Sequence, residues 1–433
     1  MSIALLCGLI IAVTLVIMLA AGVPIAAAIG FSSLLSVIPI MDFNAAVLTC
    51  AQRTFSGISV FTLLAIPFFI LAGNIMNRGG IAVRLINFAK LLTGKVPGSL
   101  AQTNSIANML FGAISGSGVA AASAMGSIIG PIEDEEGYDK SYSAAVNIAT
   151  APTGLLIPPS NTLITYSLVS GGTSVAALFM AGYVPGILWG LGCMLTALIM
   201  ARKFGYKSGE NTDFRSALKI LIDALPSLLL IVIVIGGIIR GVFTATEGSV
   251  VAVVYSLILS FIYKTIRVRD LYDIIRASAE TTGIIVFLIG VSSAMAWVMA
   301  FTGIPAAISQ ALLSISSNKY VILLIINVIL LFVGTFMDIT PAILIFTPIF
   351  LPVCESFGMS AIQFGIMLVY NLCIGTITPP VGNILFVGVR VAGTKLERVI
   401  KPLLPYYAVI FAVLMLVTFV PAVSTFLPNI LGY

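Results

Sequence analysis

Two segments of this chain, far apart in sequence, repeat the same arrangement of glycine and proline. "GLLIPPSNTLITYSLVSGGT" begins at Gly154 and "GTITPPVGNILFVGVRVAGT" begins at Gly375, an offset of 221 residues. At the same offset, "FGAISGSGVAAASAMGSIIGP" from Phe111 corresponds to "FVGTFMDITPAILIFTPIFLP" from Phe332. Shared apolar composition could imitate a hydropathy match, whereas a Gly-x-x-x-Pro-Pro motif at a constant offset indicates duplication. The chain is therefore predicted to contain two copies of one unit.

Long apolar segments recur throughout both copies, among them "IALLCGLIIAVTLVIMLAAG", "LPSLLLIVIVIGGII" and "YVILLIINVILLFVG". Of the 433 residues, 60% are hydrophobic and 9% are charged, compared with about 25% charged in soluble domains. Each segment approaches the roughly 20 residues that a helix needs to cross a bilayer. An all-α polytopic membrane protein is predicted. The first segment follows no basic residue, so we expect a membrane helix there and not a cleaved signal peptide.

Several classes of function are excluded by what the sequence lacks. The chain has no histidine, which excludes His-based triads and His zinc sites. It has no Walker A loop, and its five cysteines have no CxxC spacing. The net charge of +5 is spread over membrane-flanking loops and gives no indication of nucleic-acid binding. No enzyme activity, catalytic residue or organic cofactor is predicted.

The basic residues of the loops indicate how the two copies are oriented. Three pairs of loops are related by the offset, and in each pair Lys and Arg are concentrated in one loop only. The basic loops are 78–95, 264–276 and 390–401. Their counterparts, in the same order, are 301–318, 42–54 and 169–180. Basic loops remain on the cytoplasmic side. Corresponding loops therefore face opposite sides, and the repeats are predicted to be inverted, with both termini non-cytoplasmic. Inverted repeats are typical of secondary transporters.

Glycine and proline interrupt each copy at two matching places. We predict a first repeat over 1–200, a cytoplasmic linker over 201–219 and a second repeat over 220–433. The first repeat would contain a re-entrant hairpin at about 110–131 and a broken helix at about 150–171; the second would contain them at about 332–353 and 371–392. Irregular backbone at membrane depth is tolerated only where it is buried in protein or lines a wet cavity. The four breaks are therefore expected to converge on one site.

This site is suited to a hard monovalent cation, because unwound carbonyls and hydroxyls supply oxygen ligands. The offset aligns Ser117 with Asp338, so the second copy would add a carboxylate where the first has a hydroxyl. The candidate ligands are Ser115, Ser117, Gly154, Ile157 and Pro159 in the first copy, and Phe336, Asp338, Gly375, Thr378 and Pro380 in the second, with Gly334 and Thr335 as possible additions. A charge in hydrocarbon costs at least about 2.5–3.5 kcal/mol, so Asp338 needs a partner.

Other interpretations of these residues stay open at this stage. The small residues of "SGSGVAAASAMGS" could serve helix packing, and the Pro-Pro pairs could simply end helices. Asp338 could make a structural hydrogen bond or carry a proton instead of binding a cation. The acidic run "EDEEGYDK" at residues 133–140 is expected to be a solvated loop.

The motifs "NMLFGAISGSGVAAASAMGSI", "IPPSN" and "GTFMDITPAILIFTPIFLPV" resemble the large membrane subunit of TRAP transporters, the tripartite ATP-independent periplasmic class, nearest the sialic-acid branch. The resemblance implies an elevator-type transport domain, built around two hairpins, together with a scaffold domain. It implies sodium-coupled uptake of an organic acid across the bacterial inner membrane. It also implies two partners, a small four-helix membrane subunit and a soluble periplasmic substrate-binding protein.

The resemblance also carries the family's sodium positions onto this sequence. They fall on the residues Ser115, Ser117, Gly154, Ile157, Pro159, Gly334, Thr335, Asp338, Gly375 and Thr378, with Pro380 added by the symmetry of the repeat. An anionic substrate favours helix N-termini and hydroxyl or amide donors, and the substrate candidates are Ser160, Asn161, Asn383 and Arg390. The competing functions are a C4-dicarboxylate or other organic-acid TRAP subunit, a stand-alone proton- or sodium-coupled symporter, and an intramembrane enzyme that uses Asp338.

Overall fold

The structure is a computed structural model that describes residues 2–209 and 213–433. The regular structure of these residues is entirely helical, with twenty-one α-helices and one 3-10 helix. Nine helices within these ranges are long and apolar enough to cross a membrane. The prediction of an all-α polytopic membrane fold is therefore confirmed.

The first copy consists of eleven α-helices and the 3-10 helix. Their bounds are α1 (Ile3–Ala20), α2 (Ile25–Val37), α3 (Phe43–Ile58), the 3-10 helix (Phe61–Leu64), α4 (Ala65–Arg78), α5 (Ile81–Thr93), α6 (Ser99–Ser115), α7 (Gly118–Glu135), α8 (Lys140–Thr150), α9 (Thr153–Leu156), α10 (Asn161–Val169) and α11 (Val175–Phe204).

The second copy consists of ten α-helices. Their bounds are α12 (Phe214–Ile239), α13 (Ala245–Ile262), α14 (Asp270–Thr302), α15 (Ile304–Ile315), α16 (Lys319–Phe336), α17 (Ile339–Ser356), α18 (Ala361–Thr376), α19 (Asn383–Val391), α20 (Leu396–Phe419) and α21 (Ala422–Ile430).

The duplication is visible in the positions of these helices. The pairs α7 and α17, α8 and α18, and α11 and α20 each begin 221 residues apart. Packing between the copies is reciprocal, because α10 packs against α17 whereas α19 packs against α7. One difference stands out. The continuous α14 occupies the place that α3, the 3-10 helix and α4 occupy in the first copy.

The helices form two groups that differ in burial. The inner group, α6–α11 and α16–α21, contains the most buried elements, since every residue from Ser141 to Thr150 in α8 and from Gln363 to Thr376 in α18 is buried. Trp189 of α11 joins these two helices; its ring nitrogen donates to the Ala149 carbonyl at 2.8 Å, and its ring packs on Tyr370 at 4.6 Å. The outer group, α1–α5 and α12–α15, exposes many large apolar side chains, as lipid-facing helices do.

Both hairpins are longer than the ranges predicted from the sequence. The arms of the first hairpin run from 99 to 135 and those of the second from 319 to 356, well beyond the predicted 110–131 and 332–353. Most of the predicted linker 201–219 is helical in the described residues, because α11 continues to Phe204 and α12 begins at Phe214. Residues 210–212 of that linker lie outside the described residues.

The acidic run at 133–140 is not a solvated loop throughout, so this expectation was wrong. Residues 133–135 complete α7, and Lys140 begins α8. Glu133 is 1% exposed, although its neighbours Asp134, Glu135 and Glu136 are exposed. The helical turn at the end of α7 directs Glu133 inward while the following acids point outward.

Candidate functional site

The first hairpin breaks at Gly116 and Ser117. Gly116 has φ of +62° at the end of α6, a backbone conformation that glycine adopts without steric cost. Ser117 is extended and caps α7, because its hydroxyl accepts from the Ala120 N–H at 3.2 Å. The sequence Gly-Ser therefore ends one helix and begins the next within two residues.

The second hairpin breaks at Met337 and Asp338, at the equivalent position. Asp338 is the N-cap of α17, but its carboxylate makes no capping bond. The Asn383 side chain instead donates to Asp338 Oδ1 at 2.8 Å. Asp338 is exposed toward the interior cavity described below. The first copy has no carboxylate at this position. In the second copy, the carboxylate accepts a hydrogen bond from Asn383 at the start of α19, the second half of the broken helix.

The two Pro-Pro segments break helices in both copies. In the first, Ser160 is fully buried and caps α10, and its hydroxyl lies at 2.7 Å from the Thr162 hydroxyl. In the second, the N–H of Gly382 donates to the Thr335 carbonyl at 3.3 Å. A Cβ on Gly382 would lie 2.8 Å from the Thr378 carbonyl oxygen. Backbone oxygens of the second hairpin and the second broken helix therefore come close at Gly382, which precedes the Asn383 that donates to Asp338.

Each hairpin contacts its broken helix through a pair of glycines. A Cβ on Gly154 would lie 2.1 Å from the Gly112 carbonyl carbon, and a Cβ on Gly375 would lie 2.3 Å from the Gly334 carbonyl carbon. These distances exclude any side chain, because ordinary contacts between carbon atoms are about 3.5–4.0 Å. The glycines allow the backbones of each hairpin and its broken helix to approach closely.

A cavity of about 290 Å³ lies between the two hairpin tips. Five predicted site residues line it together: Ser115, Ser117, Asn161, Asp338 and Asn383. The structure thereby brings residues separated by more than 200 positions in sequence into one site.

The remaining predicted site residues do not line the cavity. Nine candidate sodium positions do not line the cavity: Gly154, Ile157, Pro159, Gly334, Thr335, Phe336, Gly375, Thr378 and Pro380. Two of their hydroxyls bond locally, since Thr335 donates to Phe332 O and Thr378 donates to Ile374 O, both at 2.7 Å. Among the substrate candidates, Ser160 is buried against the Leu155 carbonyl, and Arg390 is exposed in the last turn of α19, outside the cavity lining.

Polar residues that the sequence did not single out complete the cavity wall. The outer group contributes Asn74 and Asn77 of α4 and Thr281 of α14, and the inner group adds Thr162 and Thr376. Asn74 donates to the Ser278 hydroxyl at 2.8 Å, which joins α4 to α14. Two asparagines three residues apart in the apolar segment "LAGNIMN" share one helix face; this was the signal that could have identified them.

The electrostatics of the wall are simple. Among the described residues, Asp338 is the one charged side chain that lines the cavity. The N-terminal residues of α7, α10, α17 and α19 also line it, and helix N-termini carry partial positive charge. The cavity can therefore receive a cation near Asp338 and an anion near the helix ends and amides, with no basic side chain involved.

Comparisons with known proteins assign this architecture to a family. Residues 12–423 match the family described as "Tripartite ATP-independent periplasmic transporter, DctM component". The chain is 54% identical over 414 residues to the uncharacterized protein YgiK of Salmonella typhimurium, covering 96% of this chain and 95% of YgiK.

Two further relatives carry names that state a substrate. The C4-dicarboxylate TRAP transporter large permease protein of Rhodobacter capsulatus is 36% identical, covering all of both chains. The sialic acid TRAP transporter large permease protein of Vibrio cholerae is also 36% identical, covering 96% of this chain and 97% of the relative.

Among solved structures, the YdaH transporter of Alcanivorax borkumensis has a similar fold. The TM-score is 0.66 at 14% sequence identity, covering 87% of this chain and 88% of that one. The family match and the named relatives confirm the resemblance of the sequence motifs to the large membrane subunit of TRAP transporters, but they do not single out the sialic-acid branch. This chain belongs to the family of large membrane subunits of tripartite ATP-independent periplasmic transporters, the DctM component.

Proposed function

We propose that this chain is the transport subunit for sodium-coupled uptake of an organic acid across the bacterial inner membrane. The observation that carries the proposal is the cavity between the two hairpin tips, where Asp338 faces four asparagines and several hydroxyls. The family is one of transporters, and the named relatives are permeases for organic acids. The cavity contains a carboxylate suited to a cation, and amides and hydroxyls suited to an organic acid.

Sodium ions are proposed as coupling ions, one in each copy. The second site would use Asp338 together with backbone oxygens of Thr335 and Thr378, which converge around Gly382. Several oxygens and one formal charge suit a monovalent cation. The first site would use Ser115 and Ser117 with carbonyls near Gly154, without a formal charge. Asp338 as a proton carrier is the alternative that the experiment below separates from this one.

Sialic acid is the substrate that we favour, and the character of the wall supports it. The described lining has no lysine or arginine to pair with a second carboxylate, which disfavours a dianion. The Asn161 amide oxygen has no hydrogen-bond partner among the described residues, so a ligand hydroxyl could donate to it. Asn161 and Asn383 would contact the acid, with Asn74 and Asn77 opposite them. A C4-dicarboxylate is the alternative, since relatives named for C4-dicarboxylates are 36–39% identical to this chain and the relative named for sialic acid is 36% identical.

An elevator movement is proposed because the cavity lies between the two helix groups. Ile70, Gly73 and Asn74 of the outer group face the hairpin tips of the inner group. A Cβ on Gly73 would lie 3.0 Å from the Ser115 carbonyl oxygen. The surface of α4 therefore carries no side chain at the position that faces the tip of the first hairpin. The inner group would slide along α4 and α14 and carry substrate and sodium together.

The partners and the location follow from the family. A small four-helix membrane subunit would pack on the apolar outer group, and a soluble periplasmic binding protein would deliver the acid. Both termini are proposed to be periplasmic, from the distribution of basic loop residues. A stand-alone symporter of similar fold is the competing proposal, and it would transport without either partner.

The test is uptake of labelled sialic acid into proteoliposomes that contain this chain and its small subunit. The binding protein and a sodium gradient are each included or omitted, and Asp338→Asn is compared with Asp134→Asn, an exposed acid paired with Lys140. We expect uptake that requires sodium and the binding protein and is lost only in Asp338→Asn. Uptake driven by a pH gradient without sodium would overturn sodium coupling. Uptake of a dicarboxylate alone would overturn only the substrate.

A further inference from the structure

A second acidic residue, Glu133, is buried far from the cavity. It lies in the last turn of α7, a helix that is not among the nine candidate spans, and its side chain is 1% exposed. Proteins seldom bury a carboxyl group completely unless it is paired. Glu133 plays no part in the transport site and therefore calls for its own explanation.

No cation compensates Glu133. None of the ion pairs among the described residues includes it, and Lys140, a near neighbour in sequence, pairs with Asp134 at 2.9 Å. One carboxyl oxygen, Oε1, has no hydrogen-bond partner in this part of the chain. An ionised carboxylate in such a place would cost several kcal/mol, whereas the protonated acid costs far less.

The groups that face Glu133 are neutral hydroxyls and further acids. Hydroxyl groups come from the α7–α8 turn, α8, the segment after α11, and α20; these are Tyr138, Tyr142, Ser143, Tyr206 and Tyr406. The hydroxyls of Tyr138 and Tyr406 also have no partner among the described residues. Burial raises the pKa of Glu133 to about 8, Asp134 and Glu136 raise it as well, and only the Ser143 hydroxyl lowers it.

This cluster lies beneath a segment that follows α11. The strap, defined here as residues 205–209, contacts both ends of the first hairpin through Tyr206 and Lys207. Tyr206 stacks on Tyr138 at 4.2 Å, and its hydroxyl accepts from the Asp139 N–H at 2.9 Å. The Gly98 N–H, at the start of α6, donates to the Lys207 carbonyl at 3.1 Å. The strap thus lies over the tyrosines that surround Glu133 and contacts the ends of both hairpin arms.

We propose that Glu133 is a proton-binding site, neutral while the strap covers it, and that loss of its proton releases the strap from the first hairpin. On release, the carboxyl O–H bond breaks, the proton passes to water and the carboxylate becomes hydrated. The pKa is higher in the covered state than in the exposed one. The stability of the covered state is therefore complete below about pH 4.5 and declines as the pH rises to about 8. This inference does not depend on the proposed transport function.

The first test detects the proton directly by infrared difference spectroscopy of the purified chain between pH 6 and pH 9. We expect an absorption of a protonated carboxylic acid that disappears with a midpoint near pH 8. The absorption should be absent in Glu133→Gln and retained in Asp338→Asn, which removes the other candidate acid. An identical spectrum in wild type and Glu133→Gln would overturn the proposal.

The second test follows the strap with a spin label at Ser208→Cys, an exposed position of the strap, in a background without native cysteines. We expect the label to become mobile over the same pH range and to remain immobile in Glu133→Gln. Glu135→Gln, which removes an exposed acid two residues away, should titrate as wild type does. If Glu133→Gln does not fold, an immobile label across the wild-type proton loss overturns the proposal. A midpoint that shifts when choline replaces sodium would also overturn it, in favour of a metal-cation site.

Discussion

The tips of the two hairpins break at equivalent positions and differ in chemistry, with Gly116 left-handed in the first and Met337 extended in the second. Both break over two residues, and the second arm begins at Gly118 in one copy and at Ile339 in the other, 221 residues apart. At the N-cap, Ser117 bonds its own helix through the Ala120 N–H. Asp338 leaves its helix uncapped and bonds the Asn383 side chain instead. One tip uses its polar side chain for structure, and the other directs a charge toward a shared cavity.

The difference shows which parts of the duplicated unit are constrained by folding. Glycine pairs at the hairpin contacts are present in both copies, because backbone proximity permits no side chain there. The charged residue is present in only one copy, so the two proposed cation sites would be unequal. Changes at the shared features should affect both copies alike, whereas changes at the tips should affect them differently.

The largest effect is expected where the copies agree. Gly154→Ala and Gly375→Ala would each place a Cβ within 2.3 Å of a facing backbone, so each should destabilise the protein by about 3 kcal/mol or more. Gly283→Ala, at an exposed position of α14 with no atom within 4 Å of its Cβ, should be neutral or stabilise by about 0.5–1 kcal/mol. Thermal unfolding in detergent measures all three. Tolerance of one glycine replacement and not the other would break the equivalence of the copies.

The next effect concerns the tips. Asp338→Ser gives the second copy the side chain of the first and removes the carboxylate, so sodium-driven uptake should fall by about 100-fold, equivalent to about 2.7 kcal/mol. Ser117→Ala removes one hydroxyl and should reduce uptake by about 10-fold or less. Uptake into proteoliposomes at matched protein content provides the comparison. Equal losses in the two variants would mean that the tips are functionally equivalent.

A smaller effect is expected at the residues that follow the Pro-Pro breaks. Asn383→Ala removes the hydrogen bond that holds Asp338. Hydrogen bonds to charged groups contribute about 1.5–3 kcal/mol, so uptake should fall by about 10-fold or more. Asn161→Ala removes an amide oxygen that has no partner among the described residues and should reduce uptake less. Sodium dependence should change in Asn383→Ala only; a shift in both variants would contradict the assignment.

The smallest difference is expected between two amide pairs that tie each hairpin to its broken helix. Asn108 donates to the Asn147 side chain at 3.0 Å, and Asn371 donates to the Asn327 side chain at 2.6 Å. Asn147 also donates to the Ala122 carbonyl at 2.7 Å, and Asn371 also donates to the Asn327 backbone carbonyl at 3.0 Å. Asn147→Leu and Asn371→Leu each remove two hydrogen bonds, so their losses of stability should agree within about 1 kcal/mol. Denaturation in detergent measures both, and a larger difference would contradict the equivalence of the two contacts.

The sequence predicted the fold class and the breaks because both depend on local residue types. Proline and glycine interrupt helices wherever they occur, and apolar length predicts membrane helices. The offset then allowed Asp338 to be compared with Ser117. The extent of the hairpin arms was underestimated, because the arms continue as ordinary helices beyond the distinctive motifs.

The rest of the site could not be predicted, because it depends on tertiary packing. Thr281 reaches the cavity from α14, which resembles an ordinary membrane helix in sequence. Ser160 follows a Pro-Pro break, the position that the sequence favoured for a substrate ligand, yet packing directs its hydroxyl to the Leu155 carbonyl. Glu133 is continuous with a solvated acidic run and is nevertheless buried. A linear pattern does not specify which member of a polar cluster points inward.

The most direct test of the central claim is sodium binding to the purified chain, measured as the shift in thermal unfolding when sodium chloride replaces choline chloride at constant ionic strength. Binding to the folded state alone stabilises it by about 2.7 kcal/mol at 100 times the dissociation constant. The account predicts a saturable, sodium-specific stabilisation that Asp338→Asn largely removes and Asp134→Asn retains. The same stabilisation in wild type and Asp338→Asn would contradict it, because Asp338 would then not be a sodium ligand.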